Sequence, residues 1–252
     1  MFSKEISIKN KYNKFLSILL EYPDDTLKDY IIFNHCFTCS KNYKIYNNIS
    51  KILVKNGYGT IRFDMTGLGD SEGDFEDTNL TTNIEDLISV YEYISSNYKT
   101  PKFLIGHSLG GLISIKAASQ LPFIKGIATI GTPYNLNGLI KLFSKYEDEL
   151  SSKGKTEIDI AGRKFKIGDH FLEDIKNENI HQSMRKFDKP IIIFHSNKDK
   201  TVPFESGLKL FNLISSPKSF ITLQDANHLV SNKDDGYYIG SILARWFDEN
   251  KG

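Results

Sequence analysis

The sequence predicts an α/β fold, a mostly parallel eight-stranded sheet with helices on both faces, and three observations carry that expectation. First, the runs "YIIFNH", "TIRFDM", "KFLIGH", "GIATIGT", "PIIIFHS" and "SFITLQ" are short and rich in β-branched or aromatic residues. Strands buried on both faces have this composition. Second, the intervening segments 41–56, 83–97, 109–120, 204–214 and 234–249 are helix-length and carry apolar residues at helical spacing, with Ile84, Leu87, Ile88, Tyr91 and Ile94 forming one such face. Strand and helix in alternation mean a parallel sheet with right-handed crossovers. Third, 252 residues at 40% hydrophobic content suffice for one large core, and no repeat or low-complexity linker divides them.

Taken in order, "EISIK" and "KFLSILLEY" alternate partly with period two and complete the eight strands. Residues 1–252 are expected to form one domain. One segment breaks its rhythm: Tyr134 to Asp188 exceeds any ordinary connection between strands. Within it "TEIDIAGRKFKIG" reads as a hairpin turning at Ala161-Gly162-Arg163, and "GDHFLEDIKN" as a short helix. An insertion at about 134–188, after the sixth strand, is expected to cap the rim where parallel sheets bind ligands.

Composition narrows the function classes. Lys+Arg 32 against Asp+Glu 31 leaves a net charge of +1, which argues against nucleic-acid or anionic-membrane partners. The N-terminal run "FLSILL" is too short for a secretory segment or a membrane span. With only two cysteines no disulfide framework exists, so a reducing cytoplasm is the expected location.

The chemistry is expected at Gly106-His107-Ser108-Leu109-Gly110, a G-x-S-x-G with a strand running in and an amphipathic helix running out. So tight a turn tolerates little bulk two residues either side of the serine, hence the glycines, and it projects the hydroxyl off the sheet. A serine hydroxyl needs a base to take its proton and a third group to orient that base. In this arrangement acid and then histidine follow the serine along the chain. Of six histidines, His228 in "LQDANHLV" lies in a loop just past a strand and follows a usable acid. His35 precedes the serine, His107 should point away from it, His170 and His181 sit in the insertion, and His195 lies inside a strand. Asp199, three residues past "PIIIFHS", is the expected acid. Glu205 reads as a first-turn helix charge, and Asp225 as a loop former and a distant second choice.

Acyl transfer also needs N–H donors for the oxyanion. Leu109, after the nucleophile, supplies one. The loop after the third strand, "NHCFTCSKN", supplies the other, with the Phe37 N–H as the expected donor. Cys36 and Cys39 thus fall in the oxyanion loop. The next helix starts near Lys41, after both, so a redox pair is disfavoured. A zinc site would need further ligands that no other cysteine supplies. Both are read as incidental thiols.

The set "NHCFTCSKN", "IRFDMTGLGDSEGDFEDTN", "GHSLGGL", "HSNKDKTVP" and "ANHLV" resembles the α/β-hydrolase superfamily over essentially the whole chain. More narrowly it resembles bacterial acylhydrolases of the cinnamoyl-esterase type, and the hydrolase half of fusions carrying an osmotically inducible, peroxidase-like domain. The resemblance implies Ser108 as nucleophile, Asp199 as acid, His228 as base, and Phe37 and Leu109 as oxyanion donors. It makes Asp64 and Asp70 turn-formers. It also marks two departures: Cys36 and Cys39 replace glycines, and Asn227 replaces an aspartate. The expected activity is hydrolysis of a small carboxylic ester through an acyl-enzyme, without metal or organic cofactor. The expected partner is a small-molecule acyl substrate, and a homodimer is within what the sequence allows. A thioesterase, a short-peptide peptidase or a C–C hydrolase would use the same triad, and a non-catalytic binding protein could share the scaffold.

Overall fold

A computed structural model describes residues 1–251. Eight strands form one sheet: β1 (Phe2–Lys9), β2 (Phe15–Tyr22), β3 (Tyr30–Asn34), β4 (Gly59–Phe63), β5 (Phe103–His107), β6 (Gly126–Ile130), β9 (Ile191–Ser196) and β10 (Lys218–Leu223). Their spatial order is β1-β2-β4-β3-β5-β6-β9-β10. Every pairing from β4 to β10 is parallel, and β2 runs antiparallel to both its neighbours. This is the α/β-hydrolase fold the sequence predicts.

The period-two geometry of a strand sorts the core into two layers. Ile32, Leu104, Ile127, Ile191 and Ile193 face one layer. The intervening Ile31, Phe33, Phe103, Ile105, Ala128, Ile192 and Phe194 face the other. Helices α1 (Lys44–Lys55) and α9 (Lys233–Asn250) cover the second face through Ile45, Tyr46, Ile49, Ile239, Leu243 and Phe247. Helices α2 (Leu80–Asn97), α3 (Leu109–Ala117) and α8 (Phe204–Leu213) cover the first. Each buried Leu, Ile or Phe contributes roughly 1.5–3 kcal/mol, which is why unbroken apolar strands need helices on both sides.

Helix α2 starts at Leu80, three residues before the apolar pattern suggests. Asn79 and Thr82 form a reciprocal capping box there, satisfying amides that periodicity alone does not see.

Between β6 and β9 lie α4 (Asn137–Ser144), α5 (Glu147–Lys153), the hairpin β7 (Lys155–Ile160) and β8 (Arg163–Gly168), α6 (Asp169–Asn177) and α7 (Ile180–Arg185). The hairpin turns on Ala161 and Gly162, both at positive φ (53° and 78°), and Arg163 already belongs to β8. The sequence pattern indicates the hairpin and α6 but not α4, α5 or α7. These helices are 8, 7 and 6 residues long, too short for a periodic signal.

Candidate active site

The site gathers at the carboxyl ends of β3, β5, β6, β9 and β10. Ser108 leaves β5 at φ 53°, ψ −121° and opens α3. A non-glycine residue holds such a backbone only when its surroundings dictate it. The glycines around it do so by letting main chains touch. A Cβ on Gly106 would lie 2.4 Å from the Gly110 carbonyl oxygen, and one on Gly110 would lie 2.3 Å from that of Asn34. On Gly111 it would lie 2.0 Å from Thr132 Oγ1. Strand β5, helix α3 and the exit of β3 are therefore packed backbone to backbone.

Ser108, Asp199 and His228 come together from three separate loops. Asp199 Oδ2 accepts the His228 Nδ1–H at 2.7 Å, and His228 Nε2 lies 3.1 Å from Ser108 Oγ. Asp199 Oδ1 accepts the Thr201 and Val202 amides at 2.8 and 2.9 Å. Burial pushes this carboxyl up, but the bonds from His228, Val202 and Thr201 outweigh it and hold it below the usual carboxylate range. An ionised carboxylate on Nδ1 leaves Nε2 bare, and a bare Nε2 can take the serine proton.

The other candidates make other contacts, although the His195 ring borders Asp199, its Nε2 3.9 Å from Oδ2. The His228 side chain bonds Asp199 and Ser108 and not Asp225, and Glu205 stands in the first turn of α8. The His195 ring is buried and its Nε2 donates to the Val202 carbonyl at 3.0 Å. His181 stacks on Tyr134 and bonds its carbonyl at 3.0 Å. Asn227 bonds Ser231 through both side-chain atoms and so shapes the loop behind His228. A cleft of about 540 Å³ opens there, lined by Gln224, Asp225, Asn227, Asn232 and Asp235, away from Ser108.

One residue at the site carries no motif in the sequence. Gly131 follows β6 at φ 55°, and a Cβ there would meet Asp199 Oδ2 at 3.2 Å and His228 Nδ1 at 3.3 Å. Only tertiary contact identifies it, because "TIGTP" reads as any strand end.

The loop after β3 is held by side chains rather than by glycines. Cys36 and Cys39 are joined as a disulfide, where the sequence suggests two incidental thiols. The reason is the turn between them: Thr38 takes φ 59°, and the Cys39 N–H donates to the Cys36 carbonyl at 3.1 Å. This brings the Cα atoms to 5.2 Å, inside bonding range. The left-handed residue is thus Thr38, and neither cysteine occupies a backbone reserved for glycine. The pairing also removes one premise for a reducing compartment.

His35 Nδ1–H donates to the same Cys36 carbonyl at 2.9 Å, while its Nε2 accepts the Met65 N–H at 3.1 Å. In a trans peptide the N–H points opposite the carbonyl. Fixing the Cys36 carbonyl therefore aims the Phe37 N–H the other way. At the loop's end buried Lys41 gives its N–H and its ammonium to Asp64, each at 2.6 Å, and reaches Asp70 at 2.5 Å. Both aspartates are thereby spent on the turn after β4.

The segment between β6 and β9 rests on this loop. The Phe37 ring packs against Phe143 of α4 and Phe171 of α6 at centroid distances of 5.9 and 5.5 Å, and against Phe75 at 5.6 Å. Arg163 of β8 donates to the Thr38 carbonyl. Among the described residues no group of metal ligands is found, and no helix is long and apolar enough to cross a membrane.

Comparison with known proteins places the chain in a family. The chain is 35% identical to the esterase domain of a Rhodothermus marinus protein over the full length of both, with a TM-score of 0.81. Est1E from Butyrivibrio proteoclasticus, in a structure with ferulic acid bound, has the same fold at 20% identity and a TM-score of 0.79, covering 97% of this chain and 98% of that one. Among curated relatives, the mouse (Mus musculus) mitochondrial palmitoyl-protein thioesterase ABHD10 is 27% identical over 202 residues, or 75% of this chain and 67% of the relative. Residues 28–166, more than half of the chain and including the Ser108 turn, match the family model described as "Serine aminopeptidase, S33". On this match and on the esterase-domain relative, the chain belongs to that family of α/β hydrolases.

Proposed function

We propose that the protein is a serine hydrolase that cleaves a small carboxylic ester through an acyl-enzyme. The Ser108–His228–Asp199 contact chain of 3.1 and 2.7 Å carries this reading. Ser108 Oγ attacks the ester carbonyl as His228 Nε2 takes its proton. Asp199 stays ionised, holds the imidazole tautomer and stabilises the imidazolium. The Phe37 and Leu109 amides receive the oxyanion, a contribution of about 3–4 kcal/mol per donor. His228 then protonates the leaving alcohol, and water releases the acid by the same steps. No step calls on a metal or organic cofactor. Residues 134–188 act as a cap that sets the acyl group, because α4, α6 and β8 pack on the residues flanking the Phe37 amide. Ser108→Ala is expected to abolish p-nitrophenyl butyrate hydrolysis while the circular dichroism spectrum stays native. Turnover retained in that variant would end the assignment.

A thioester substrate is the second reading, favoured by the thioesterase named among the relatives. The same triad serves either bond, so kcat/KM on matched acyl esters and acyl thioesters decides between them.

A further inference from the structure

The reading above leaves two buried side chains without a task, Tyr46 of α1 and His107 of β5. Tyr46 Oη accepts the Cys36 N–H at 3.1 Å and lies 3.0 Å from His107 Nδ1. His107 Nε2 lies 2.7 Å from the backbone carbonyl of His228. The directions of these bonds are fixed by elimination. A carbonyl oxygen only accepts, so His107 Nε2 carries the hydrogen. Its Nδ1 is then bare and accepts the Tyr46 hydroxyl, whose oxygen takes the Cys36 amide.

Each end of this line, and its middle, stands one step from a working atom. Cys36 precedes Phe37, His107 precedes Ser108, and the far carbonyl belongs to His228 itself. We propose that Tyr46 and His107 are positioning residues, which set the oxyanion amide, the nucleophile and the base at fixed mutual distance through one directional line of hydrogen bonds. The proposal rests on the Ser108–His228 reading of the site. Positions 36, 46, 107 and 228 lie on four different elements; the pairing of β3 with β5 aligns the exits near 36 and 107, and the line ties α1 and the His228 loop to them.

Two further facts fit this role. Both side chains are buried, at 1% and 0% exposure, and their rings meet edge-on at a centroid distance of 6.0 Å. Burial, followed by the facing His228, pushes the His107 imidazole down to about 3, so it keeps one hydrogen pattern throughout turnover and takes no part in proton transfer.

The test is kcat per active site, with sites titrated by a fluorophosphonate. Tyr46→Phe keeps the ring packing and breaks the line at its centre. Its kcat per titrated site is expected to fall roughly tenfold, below the ~10²-fold cost of a full 1 Å misplacement, with KM within about twofold. His107→Leu should match it. His107→Gln, which retains an N–H towards the His228 carbonyl, should recover most of the loss. The double variant Tyr46→Phe/His107→Leu should be no slower than the slower single, as for two residues acting through one line. A purely structural role would lower the titratable fraction and leave kcat per site unchanged. That result overturns the proposal, as does equal kcat for His107→Gln and His107→Leu.

Should every variant fail to fold, the ¹⁵N imidazole shifts of the wild-type protein at pH 7 decide. A neutral His107 with its hydrogen on Nε2 is required, and a hydrogen on Nδ1 excludes the line. Ser108→Ala separates the two levels. Turnover surviving in Ser108→Ala defeats the serine-hydrolase reading, whereas an inactive Ser108→Ala beside fully active line variants defeats only the positioning proposal.

Discussion

Two loops meet at the candidate site, and they are built by opposite means. The turn after β5 is shaped by missing side chains: Gly106 and Gly110 allow backbones to touch, Gly111 makes room for the Thr132 side chain, and Ser108 is pressed into φ 53°. The loop after β3 is shaped by side chains that are present. His35, Tyr46, the Cys36–Cys39 bond and the Lys41–Asp64 pair hold a turn whose one left-handed residue is a threonine. The contrast teaches that a strained backbone can be dictated from within, by close approach, or from without, by a cage of polar contacts. The first leaves a motif in the sequence and the second leaves almost none.

Adding bulk to the glycine-built turn should produce the largest effect. Gly110→Ala sets a Cβ against the Asn34 and His35 carbonyl oxygens, which cannot swing aside. A loss of ~3 kcal/mol of stability is expected from such overpacking, together with loss of fluorophosphonate labelling. A urea titration and the labelled fraction measure both. Native stability in this variant would show that the backbones are not in contact.

Gly131 extends the same rule to the Asp199–His228 contact. Gly131→Ala strains a left-handed backbone, at about 1 kcal/mol, and crowds Asp199 and His228. Its kcat should fall on the order of tenfold with KM little changed, as measured by steady-state ester hydrolysis.

The buried imidazoles around both loops should make the fold sensitive to acid. Burial lowers the imidazoles of His35, His107 and His195. In the unfolded chain they take protons near their ordinary value of 6.5, so below that pH the unfolded state binds more protons than the folded one. Stability is therefore full above 6.5 and is lost as pH falls towards about 3, the value for His107. Asp199, also lowered, adds a loss in the same direction below 3.8, while Asp86, raised by burial, opposes it. Urea midpoints should hold from pH 7.5 to about 6.5 and fall steadily from there to 4.5. A flat profile would mean that the imidazoles are not buried neutral.

The smallest expected effect is at the contact between the insertion and the loop. Arg163→Ala removes one donor to the Thr38 carbonyl and leaves the phenylalanine cluster in place. KM should rise about two- to threefold with kcat nearly unchanged, in line with loss of one hydrogen bond of ~0.5–1.5 kcal/mol at a partly open site.

By itself the sequence determined the order of the eight sheet strands and of the helices that cover them, the Ser108 turn, and the chain positions of Asp199 and His228. These follow from local rules: period-two burial, helical spacing, glycine where backbones touch, and an acid or imidazole just past a strand end. Only the tertiary structure decided what depends on residues far apart in the chain. It brought Cys36 to Cys39 through the Thr38 turn, set Gly131 against Asp199 and His228, gathered Phe37 with Phe143 and Phe171, and ran one line of hydrogen bonds from Cys36 through Tyr46 and His107 to His228. A hydrogen bond between residues 61 or 121 positions apart leaves no periodic trace in a sequence. Its partners are ordinary residues until the sheet's crossovers bring them within 3 Å or so.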